Sequence, residues 1–450
     1  MIKILQTGKK GLSRRDFVKK SSLATIGGLY LSSLPAGASA NVLGNDTIKV
    51  ALIGCGGRGT GAAHQALSTG RDVKLVAMAD VFEDMLENSY EALAQRYLDT
   101  GQLDVPDEHK FVGFDAYKHA TELADVVLLA TTPAFRPEHF EEAVRQGKHV
   151  FMEKPLATDA PGVRSIMETG KIAEQKGLTV VAGLQRRYDF AYREVKKRLE
   201  QNMIGEPIAA QVYYHRPNVW SRERRPEYSE LEFQMRNWYY FTWLSGDHNV
   251  EQHIHSIDAA NYLLGEHPIQ AQGMGGREVR TSPDFGQIFD HHFVEYTYPS
   301  GLVMSSQCRH IPGCWNVSQE RILGSDGSTL TDHGYGAGSE GTVKNRRGDI
   351  HYEHDDSDDP NPYQQEITEL FDSLRNGYVI NDTESAAQST MSAIMGRMAT
   401  YSGQVIEWED AIANDHRLVP EKLSWDMEPP VSPGDDGTYP VAIPGQTPPY

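Results

Sequence analysis

The feature that most constrains the fold of this chain is a glycine pattern between an apolar segment and a helical one. Residues 47–53 (TIKVALI) are apolar and β-branched, which predicts a buried strand. The pattern G-x-G-x-x-G follows at Gly54, Gly56 and Gly59, and residues 60–67 predict a helix. These glycines allow a tight turn, a close approach of the backbone to a pyrophosphate, and close packing of helix on strand. The order predicts a dinucleotide site at a helix N-terminus.

A second apolar segment leads to the predicted ribose contact of that site. Residues 73–79 (VKLVAMA) predict the next strand, which ends at Asp80. A carboxylate here accepts hydrogen bonds from both ribose hydroxyls and repels a 2′-phosphate, so Asp80 favours NAD over NADP. Arg58, which follows Gly57 in the glycine loop, leaves NADP as the alternative cofactor.

Strand and helix patterns continue to alternate through this half of the chain. Residues 124–130 (ADVVLLA), 148–152 (KHVFM) and 178–184 predict strands, and residues 137–146 and 160–176 predict helices. Such alternation is typical of a parallel, doubly wound sheet, which makes the fold class α/β.

The first forty residues differ from the rest in composition. Arg14 and Arg15 form a twin-arginine pattern, residues 23–34 are weakly apolar, and residues 38–40 (ASA) match a signal-peptidase site. We therefore expect residues 1–40 to be a signal peptide and the mature protein to be soluble and periplasmic. Because this route moves folded proteins, commonly those that receive a cofactor in the cytoplasm, it also predicts a tightly held cofactor.

Charge and cysteine content limit the partners. The 450 residues include 43 Lys and Arg against 62 Asp and Glu, a formal net charge of −19. So acidic a chain repels phosphate backbones and anionic lipid, and we expect neither a nucleic-acid nor a membrane partner. The 3 cysteines exclude a disulfide scaffold and a four-cysteine metal centre. Only Cys308 and Cys314 are candidates to pair, and the alternative is two free thiols.

Several further motifs make the chain resemble the Gfo/Idh/MocA family of dehydrogenases, named for glucose-fructose oxidoreductase, inositol dehydrogenase and a rhizopine-catabolism protein. Besides the glycine pattern, these motifs are residues 130–133 (ATTP), 147–150 (GKHV), 153–155 (EKP), 185–188 (QRRY) and the stretch 246–265. The E-K-P tripeptide after a G-K-H-V strand is distinctive when it follows a Rossmann fingerprint.

The resemblance implies two domains. A Rossmann domain that binds NAD covers residues 46–185, and a substrate domain covers residues 186–425. The second domain is expected to be α+β, with an open, mainly antiparallel sheet and helices on one face. Residues 429–450 contain 7 prolines, so we expect residues 426–450 to form an extended tail. We also expect a homo-oligomer.

The resemblance also assigns the catalytic residues. The lysine of E-K-P, here Lys154, has the position of the acid/base group beside the nicotinamide. The second family signature is an Asp followed by a His four residues later on one helical turn. The match of His255 and Asp258 to the family's His-x-x-Asp fixes the register, so Glu251 takes the Asp place. Either His255 is the base and Lys154 stabilises the alkoxide, or these roles are reversed.

The remaining contacts expected from the resemblance line the same cleft. Thr131, Pro133 and Glu153 follow predicted strands and are expected to contact the cofactor. Substrate contacts are expected from residues after residue 184 and around the catalytic stretch: Gln185, Arg187, Tyr188, Trp243 and His253. Aromatic faces stack on sugars, although packing in the core is the alternative for each aromatic residue in the run 238–243.

A metal site is the alternative interpretation of the same stretch. Its ligand-type residues are Asp247, His248, Glu251, His253 and His255, with His291 and His292 downstream. On a continuous helix His253 and His255 lie about 200° apart, so no three-ligand set emerges and we expect no metal. The acidic run 349–359 is interpreted as a solvated loop.

Two functions fit these expectations. The first is a dehydrogenase that acts on a hydroxyl of a sugar, glycoside or polyol with NAD. The second is a redox-neutral, NAD-dependent glycosidase, which restores the cofactor within one active site and so suits an exported enzyme. A binding module with a vestigial Rossmann domain is a third interpretation, which the presence of both Lys154 and His255 disfavours.

Overall fold

The computed structural model describes residues 47–333 and 339–450. The predicted signal peptide lies outside the described residues. Those residues form two sheets, one with six strands and one with nine. This arrangement confirms the predicted α/β class, with a parallel sheet first and a mainly antiparallel sheet second.

The first sheet is parallel throughout and has the strand order β3-β2-β1-β4-β5-β6. Its apolar strands are buried on both faces because helices cover both sides. The strands are β1 (Ile48–Ile53), β2 (Val73–Asp80), β3 (Lys110–Val112), β4 (Val126–Leu129), β5 (His149–Met152) and β6 (Val180–Ala182), and the helices are α1 (Gly57–Leu67), α2 (Glu83–Tyr97), α3 (Ala116–Glu122), α4 (Arg136–Arg145) and α5 (Ala160–Gln175).

The strand order reverses direction at β1, which has β2 on one side and β4 on the other. At such a switch point the connections leave to opposite faces, and a crevice opens at the carboxyl ends of the two strands. The glycine loop follows β1 and Thr131 follows β4, so both lie at this crevice.

The second sheet has the order β14-β13-β12-β11-β7-β10-β9-β8-β15, and β7 and β10 are its one parallel pair among the described residues. Burial alternates along β9 and β10, as expected for a sheet covered by helices on one face. The strands are β7 (Pro207–Arg216), β8 (Gln270–Gly276), β9 (His291–Thr297), β10 (Val303–His310), β11 (Val317–Gly324), β12 (Gly327–His333), β13 (Ser339–Asn345), β14 (Ile350–Glu353) and β15 (Ile406–Glu407).

The remaining helices belong to the second half of the chain, and the long helix among them packs against both domains. They are α6 (Phe190–Glu200), α7 (Glu230–Arg236), α8 (Thr242–Ser245), α9 (His248–Glu251), α10 (Ile254–Leu264), α11 (Pro362–Asn376), α12 (Thr383–Ser402) and α13 (Trp408–Ala413). The small residues of α12 let it pack between α5 and the strands β8 and β9, so it is buried on nearly every side. Among the described residues, no helix is long and apolar enough to cross a membrane.

One local prediction was wrong. The acidic run 349–359 is not wholly a loop, because β14 pairs with β13 there. The last helix, α13, continues to Ala413. Beyond that residue the chain forms neither helix nor strand, as expected where prolines remove backbone N–H donors.

Candidate active site

The glycine loop after β1 has no room for side chains where it meets its neighbours. Gly54 has φ +94°, and a Cβ there would lie 2.5 Å from the carbonyl carbon of Ala130. A Cβ on Gly59 would lie 1.9 Å from the carbonyl oxygen of Gly54. Both positions therefore require glycine, one for its backbone conformation and one for the contact of α1 with the loop.

The middle of the same loop faces open space. A Cβ on Gly56 would meet only the Met85 methyl at 3.9 Å, and one on Gly57 would have no described neighbour within 4 Å. Gly57 begins α1, so the backbone N–H groups of its first turn lack partners within the helix. This opening fits a pyrophosphate, since N–H groups and the helix dipole both favour an anion there.

The loop opens into a cavity of about 1230 Å³. That volume exceeds the range of about 300–1,000 Å³ usual for small-molecule pockets and accommodates a ligand as long as a dinucleotide. The Rossmann side of the lining includes Gly54, Gly56, Gly57, Arg58, Gly59, Asp80, Thr131 and Thr132. The glycine loop, Asp80 and Thr131 therefore share one cavity, whereas Pro133, Glu153 and Lys154 are not part of its lining.

The Asp80 carboxylate is fixed at the edge of this cavity. One oxygen accepts the backbone N–H of Cys55 at 2.6 Å, and the other accepts that of Phe82 at 2.9 Å. Burial raises the pKa of Asp80, while these N–H donors oppose the rise. Each oxygen keeps a further lone pair, so the group can still accept ribose hydroxyls.

Arg58 is bound by acidic side chains and also lines the cavity. Its guanidinium forms ion pairs with Glu153 and with Glu366, the latter at 3.0 Å, and it also donates to Gln65 at 2.8 Å. Two carboxylates thus neutralise its charge. The ion pair links Glu153, which follows β5, to α1.

The segment after β4 contains two predicted cofactor residues, Thr131 and Pro133, and a polar residue, Thr132, that the sequence did not indicate. The Thr131 hydroxyl pairs with His139 Nδ1 at 3.2 Å, and Pro133 begins a buried 3-10 turn. Thr132 Oγ1 is buried, lines the cavity and has no hydrogen-bond partner among the described residues. A buried hydroxyl without a partner at a cavity wall is suited to bind a ligand.

Lys154 lies just beyond β5 and points towards the stretch before α10. Its ammonium donates to Glu251 Oε1 at 2.8 Å and to the Glu251 carbonyl oxygen at 2.5 Å. Both side chains are about nine-tenths buried. The peptide bond from Lys154 to Pro155 is cis. An ammonium has three N–H donors, so one remains for another ligand.

Two atoms beside Lys154 have no hydrogen-bond partner among the described residues: Glu251 Oε2 and His255 Nδ1. Burial and then the Lys154 charge lower the pKa of His255 well below its usual value, so the imidazole is neutral at neutral pH. The His255 ring stacks on Tyr214 with 6.5 Å between centroids. A neutral imidazole, a free carboxylate oxygen and an ammonium N–H thus form one catalytic centre candidate.

The path of the backbone here differs from the prediction of a single helical turn. α9 ends at Glu251 and α10 begins at Ile254, with a turn between them. Glu251 nevertheless pairs with Lys154, and the Lys154 charge acts on His255. The predicted grouping of these three residues is present, although it does not come from i and i+4 positions of one helix.

Two residues predicted to contact substrate are bound by internal partners. His253 is 0% exposed, and its Nε2 pairs with Ser306 Oγ at 2.6 Å. Trp243 is 2% exposed and donates its ring N–H to Gln234 Oε1 at 2.9 Å. Trp243 packs in a buried aromatic cluster with Tyr239, Tyr240 and Phe241.

The three residues predicted to contact substrate after β6 have different surroundings. They lie in a 3-10 turn from Gln185 to Tyr188. Arg187 binds both carboxylate oxygens of Asp258, and the Tyr188 hydroxyl donates to Asp382 at 2.7 Å. These two therefore hold the turn against α10 and α12. Gln185 donates to Tyr363 at 3.0 Å, and its Oε1 is buried without a partner among the described residues.

A second polar cluster lies directly before α9. The ligand-type atoms of Asp247, His248 and His292 lie within 4.8 Å of one another. One Asp247 oxygen pairs with His248 Nδ1 at 2.9 Å and His292 Nε2 at 3.3 Å, and the other accepts from Tyr401 and the Phe289 N–H. These contacts account for the burial of the carboxylate. Cys308 lies beside the cluster as a free thiol, and Cys314 is also free.

Family models match both halves of the chain. The Gfo/Idh/MocA model "Oxidoreductase family, NAD-binding Rossmann fold" matches residues 48–184. The companion model "Oxidoreductase family, C-terminal alpha/beta domain" matches residues 196–423.

Individual proteins and structures are similar at lower identity. The 2,7-anhydro-N-acetylneuraminate hydratase of Escherichia coli is 27% identical, over 49% of this chain and 55% of that protein. The inositol 2-dehydrogenase 3 of Saccharopolyspora erythraea is 28% identical, over 57% and 64%. The chain thus spans between half and two thirds of the length of these relatives. A crystal structure of aldose-aldose oxidoreductase from Caulobacter crescentus has a TM-score of 0.62 at 19% identity, over 80% of this chain and 99% of that chain.

Proposed function

The chain belongs to the Gfo/Idh/MocA oxidoreductase family, and on this premise we propose that it is an NAD-dependent oxidoreductase acting on a hydroxyl of a sugar, glycoside or polyol. The cavity at the glycine loop supports a dinucleotide, and the centre at Lys154 supports proton transfer from a hydroxyl. The substrate class is supported by the relatives, which are named inositol dehydrogenases and a hydratase of an anhydro sugar.

The fit of the cofactor rests on this chain's own groups. The open backbone at Gly56 and Gly57 takes the pyrophosphate, and Asp80 accepts the ribose hydroxyls. When bound, the nicotinamide supplies the acceptor for the hydride that leaves the alcohol carbon. The engagement of Arg58 by two carboxylates, together with the acid at position 80, supports NAD rather than NADP.

Proton transfer is assigned to His255 and Lys154. A neutral His255 has a lone pair that can accept the hydroxyl proton. Lys154 has two N–H groups bound to Glu251, and its third can donate to the oxygen as negative charge develops there. The sequence left open whether His255 or Lys154 is the base. With His255 as the base and Lys154 as the donor, each group acts in the state that its contacts favour.

The observation that carries this proposal is that buried polar atoms around Lys154 lack hydrogen-bond partners among the described residues. Glu251 Oε2 and His255 Nδ1 are buried beside Lys154 and have no partner among the described residues. Buried polar atoms are ordinarily paired, so such atoms around one ammonium indicate a place for a polar ligand. A sugar or polyol offers neighbouring hydroxyls, which both donate and accept hydrogen bonds.

An absorbance spectrum of the purified full-length protein tests the proposal. Bound reduced nicotinamide absorbs near 340 nm, and addition of inositols, aldoses and glycosides one at a time should change that absorbance for a substrate. Protein that binds no nicotinamide, and shows no reaction with any hydroxyl compound when NAD is added, would refute the function.

Cofactor preference has its own test at Asp80. Asp80→Ala should weaken NAD binding by about tenfold or more, since it removes charge-assisted hydrogen bonds. It should also reduce the difference in affinity between NAD and NADP. Asp107→Ala is a suitable control because that side chain is 98% exposed. Unchanged NAD affinity in the Asp80 variant would show that another group holds the ribose.

A second candidate is a redox-neutral reaction, favoured by the similarity to the hydratase. Oxidation of one hydroxyl would acidify the neighbouring C–H, and His255 or Glu251 could remove that proton so that a leaving group departs. Water would then add to the double bond, and return of the hydride would restore the alcohol. Product analysis by NMR in D2O separates the two candidates. Net oxidation gives a keto product, whereas the redox-neutral reaction gives a product with deuterium at the carbon next to the oxidised one.

We also propose export through the twin-arginine route and assembly into a homo-oligomer. The pair Arg14 and Arg15 supports the first proposal. Cell fractionation should find the protein in the periplasm, and Arg14→Lys with Arg15→Lys should leave it in the cytoplasm.

Exposed apolar side chains on the second sheet, such as Met274 and Val303, support assembly into a homo-oligomer. Light scattering can measure the mass of that oligomer.

A further inference from the structure

The cavity at the glycine loop has a second wall that the Rossmann fold does not provide. An open parallel sheet leaves the crevice at its carboxyl edge uncovered. Here the opposite lining includes Trp220, Arg222, Arg225 and Trp238, together with Glu421 and Lys422 from the C-terminal region. The side of the crevice next to β2 and α2 is therefore enclosed between two parts of the chain that are far apart in sequence.

The C-terminal region that contributes to this wall is residues 414–450, which we call the strap. Its Trp425 contacts two aromatic rings of the Rossmann domain, with 5.0 Å between centroids for Phe114 and 5.6 Å for Phe82. Phe82 comes two residues after Asp80, and its backbone N–H is bound by the Asp80 carboxylate. The strap thus reaches the residues next to the proposed ribose contact.

The strap is also fastened to the second domain. Val431 accepts a hydrogen bond from Gln234 at 2.7 Å through its carbonyl oxygen. Tyr439 donates to Glu230 at 2.5 Å, and its ring packs on Phe241 with 4.9 Å between centroids. Leu423, Met427 and Val431 pack against the cluster that contains these aromatic residues. The strap is therefore held to the second domain on the C-terminal side of Trp425.

An ion pair joins the same two walls. Arg236 of α7 binds both carboxylate oxygens of Asp84 in α2, at 3.0 and 3.1 Å. Its guanidinium also lies over the Phe82 ring, 4.0 Å from the centroid. Asp84 and Arg236 both line the cavity. Phe82 is consequently covered by Trp425 from the strap and by Arg236 from α7.

We infer that the strap, through Trp425, is part of the dinucleotide site and retains the adenosine half of the cofactor. This inference rests on the proposed function, because it takes the cavity to hold a nicotinamide dinucleotide. A ligand whose ribose binds Asp80 places its adenosine beside Phe82, under this second wall. It leaves readily only when the contacts of Trp425 with Phe82 and Phe114 open, so the strap slows release.

The strap contacts the adenosine half of the ligand and not the nicotinamide. Its effect on release should therefore not depend on whether the ligand has a nicotinamide. ADP-ribose, which lacks nicotinamide, should be retained in the same way as NADH. Loss of the Trp425 ring should speed the release of both ligands by a similar factor. A residue that acts at the catalytic centre would instead affect NADH and leave ADP-ribose release unchanged.

The test measures release rates from the full-length protein by displacement with excess NAD, using NADH fluorescence and labelled ADP-ribose. Trp425→Ala should speed release of both ligands by about tenfold or more. The Trp425 side chain is 41% exposed, so the variant should fold, and Trp315→Ala, at 63% exposed and on the second domain, is the matched control. The control should stay within about twofold of the unmodified protein.

The outcomes separate the two proposals. If NADH binds and Trp425→Ala releases it at the normal rate, the strap has no role in retention, although the proposed function stands. If only NADH release changes while ADP-ribose release does not, the assignment to the adenosine half is overturned. If neither ligand binds the unmodified protein, both the function and the strap assignment fail together.

Discussion

Two buried polar clusters both include residues of the stretch 247–255, and they differ in how completely their atoms are paired. In the first, the closed cluster of Asp247, His248 and His292, Asp247 has hydrogen-bond partners on both carboxylate oxygens. In the second, the open cluster of Lys154, Glu251 and His255, two polar atoms lack partners among the described residues. Both clusters are almost wholly buried.

This difference indicates that the closed cluster supports the structure and that the open cluster takes part in the reaction. A fully paired buried network holds its surroundings in one arrangement, whereas an incompletely paired one retains bonding capacity for a ligand. Asp247 joins the start of α9 to β9 and α12, and it thereby positions the segment that carries Glu251 and His255. We therefore expect changes in the closed cluster to affect stability, and changes in the open cluster to affect rate.

The largest effect is expected from Lys154→Met. Removal of the ammonium takes away the donor to the developing alkoxide, so turnover should fall by about two to four orders of magnitude. The bound nicotinamide content should stay close to that of the unmodified protein. The free energy of unfolding should fall, because the buried Glu251 carboxylate loses its ammonium, so turnover is compared per folded molecule. Near-normal turnover in this variant would remove Lys154 from the mechanism.

Asp247→Asn should break the closed cluster. It removes a carboxylate oxygen that buried side chains use as an acceptor, so the free energy of unfolding should fall by about 1–3 kcal/mol, the cost of leaving a buried polar group unpaired. Denaturant titration measures this loss, and turnover per folded molecule should change by less than about threefold. Asp107→Asn serves as an exposed control. A large fall in turnover with stability unchanged would reverse the roles of the two clusters.

A smaller effect is expected from Glu251→Gln. The amide keeps an oxygen for Lys154 but removes the charge and the second carboxylate oxygen, so kcat/KM should fall by about tenfold, or about 1.4 kcal/mol. Steady-state kinetics checks this, with the exposed Glu353→Gln as control. An unchanged kcat/KM would show that the free Glu251 oxygen does not contact substrate.

The smallest effect concerns pH. Protonation of His255 removes the lone pair that accepts the proton, and its pKa lies well below the ordinary value of about 6.5. Activity is therefore lost only as the pH falls well below that value. Between pH 8 and pH 6, kcat/KM should change by less than about twofold. A fall centred near pH 6.5 would mean that His255 titrates like an exposed histidine or that another group is the base.

Much of the first domain could be predicted because its functional residues follow local patterns. The glycines at 54, 56 and 59 are required by a turn and a helix contact that lie within a few residues of them. Asp80 ends one apolar strand and Lys154 follows another, so the rule that the carboxyl ends of parallel strands meet at one edge of a sheet predicts that both lie at that edge.

The rest depends on partners that are distant in sequence. Arg58 in the glycine loop was considered for a phosphate, but its partner Glu366 lies 308 residues away. The contact of Trp425 with Phe82 has no local signal either. His253 and Trp243 belong to residue types that occur both in cores and in binding sites, and only their packing assigns them to the core.

The most direct test of the open cluster as the reaction centre is the change in absorbance at 340 nm when candidate sugars and polyols are added to the purified protein. The unmodified protein and Lys154→Met should contain the same amount of bound nicotinamide. We predict that a substrate changes the absorbance of the unmodified protein within one turnover, and that the variant responds at least about a hundredfold more slowly. Equal rates in the two proteins would contradict the account.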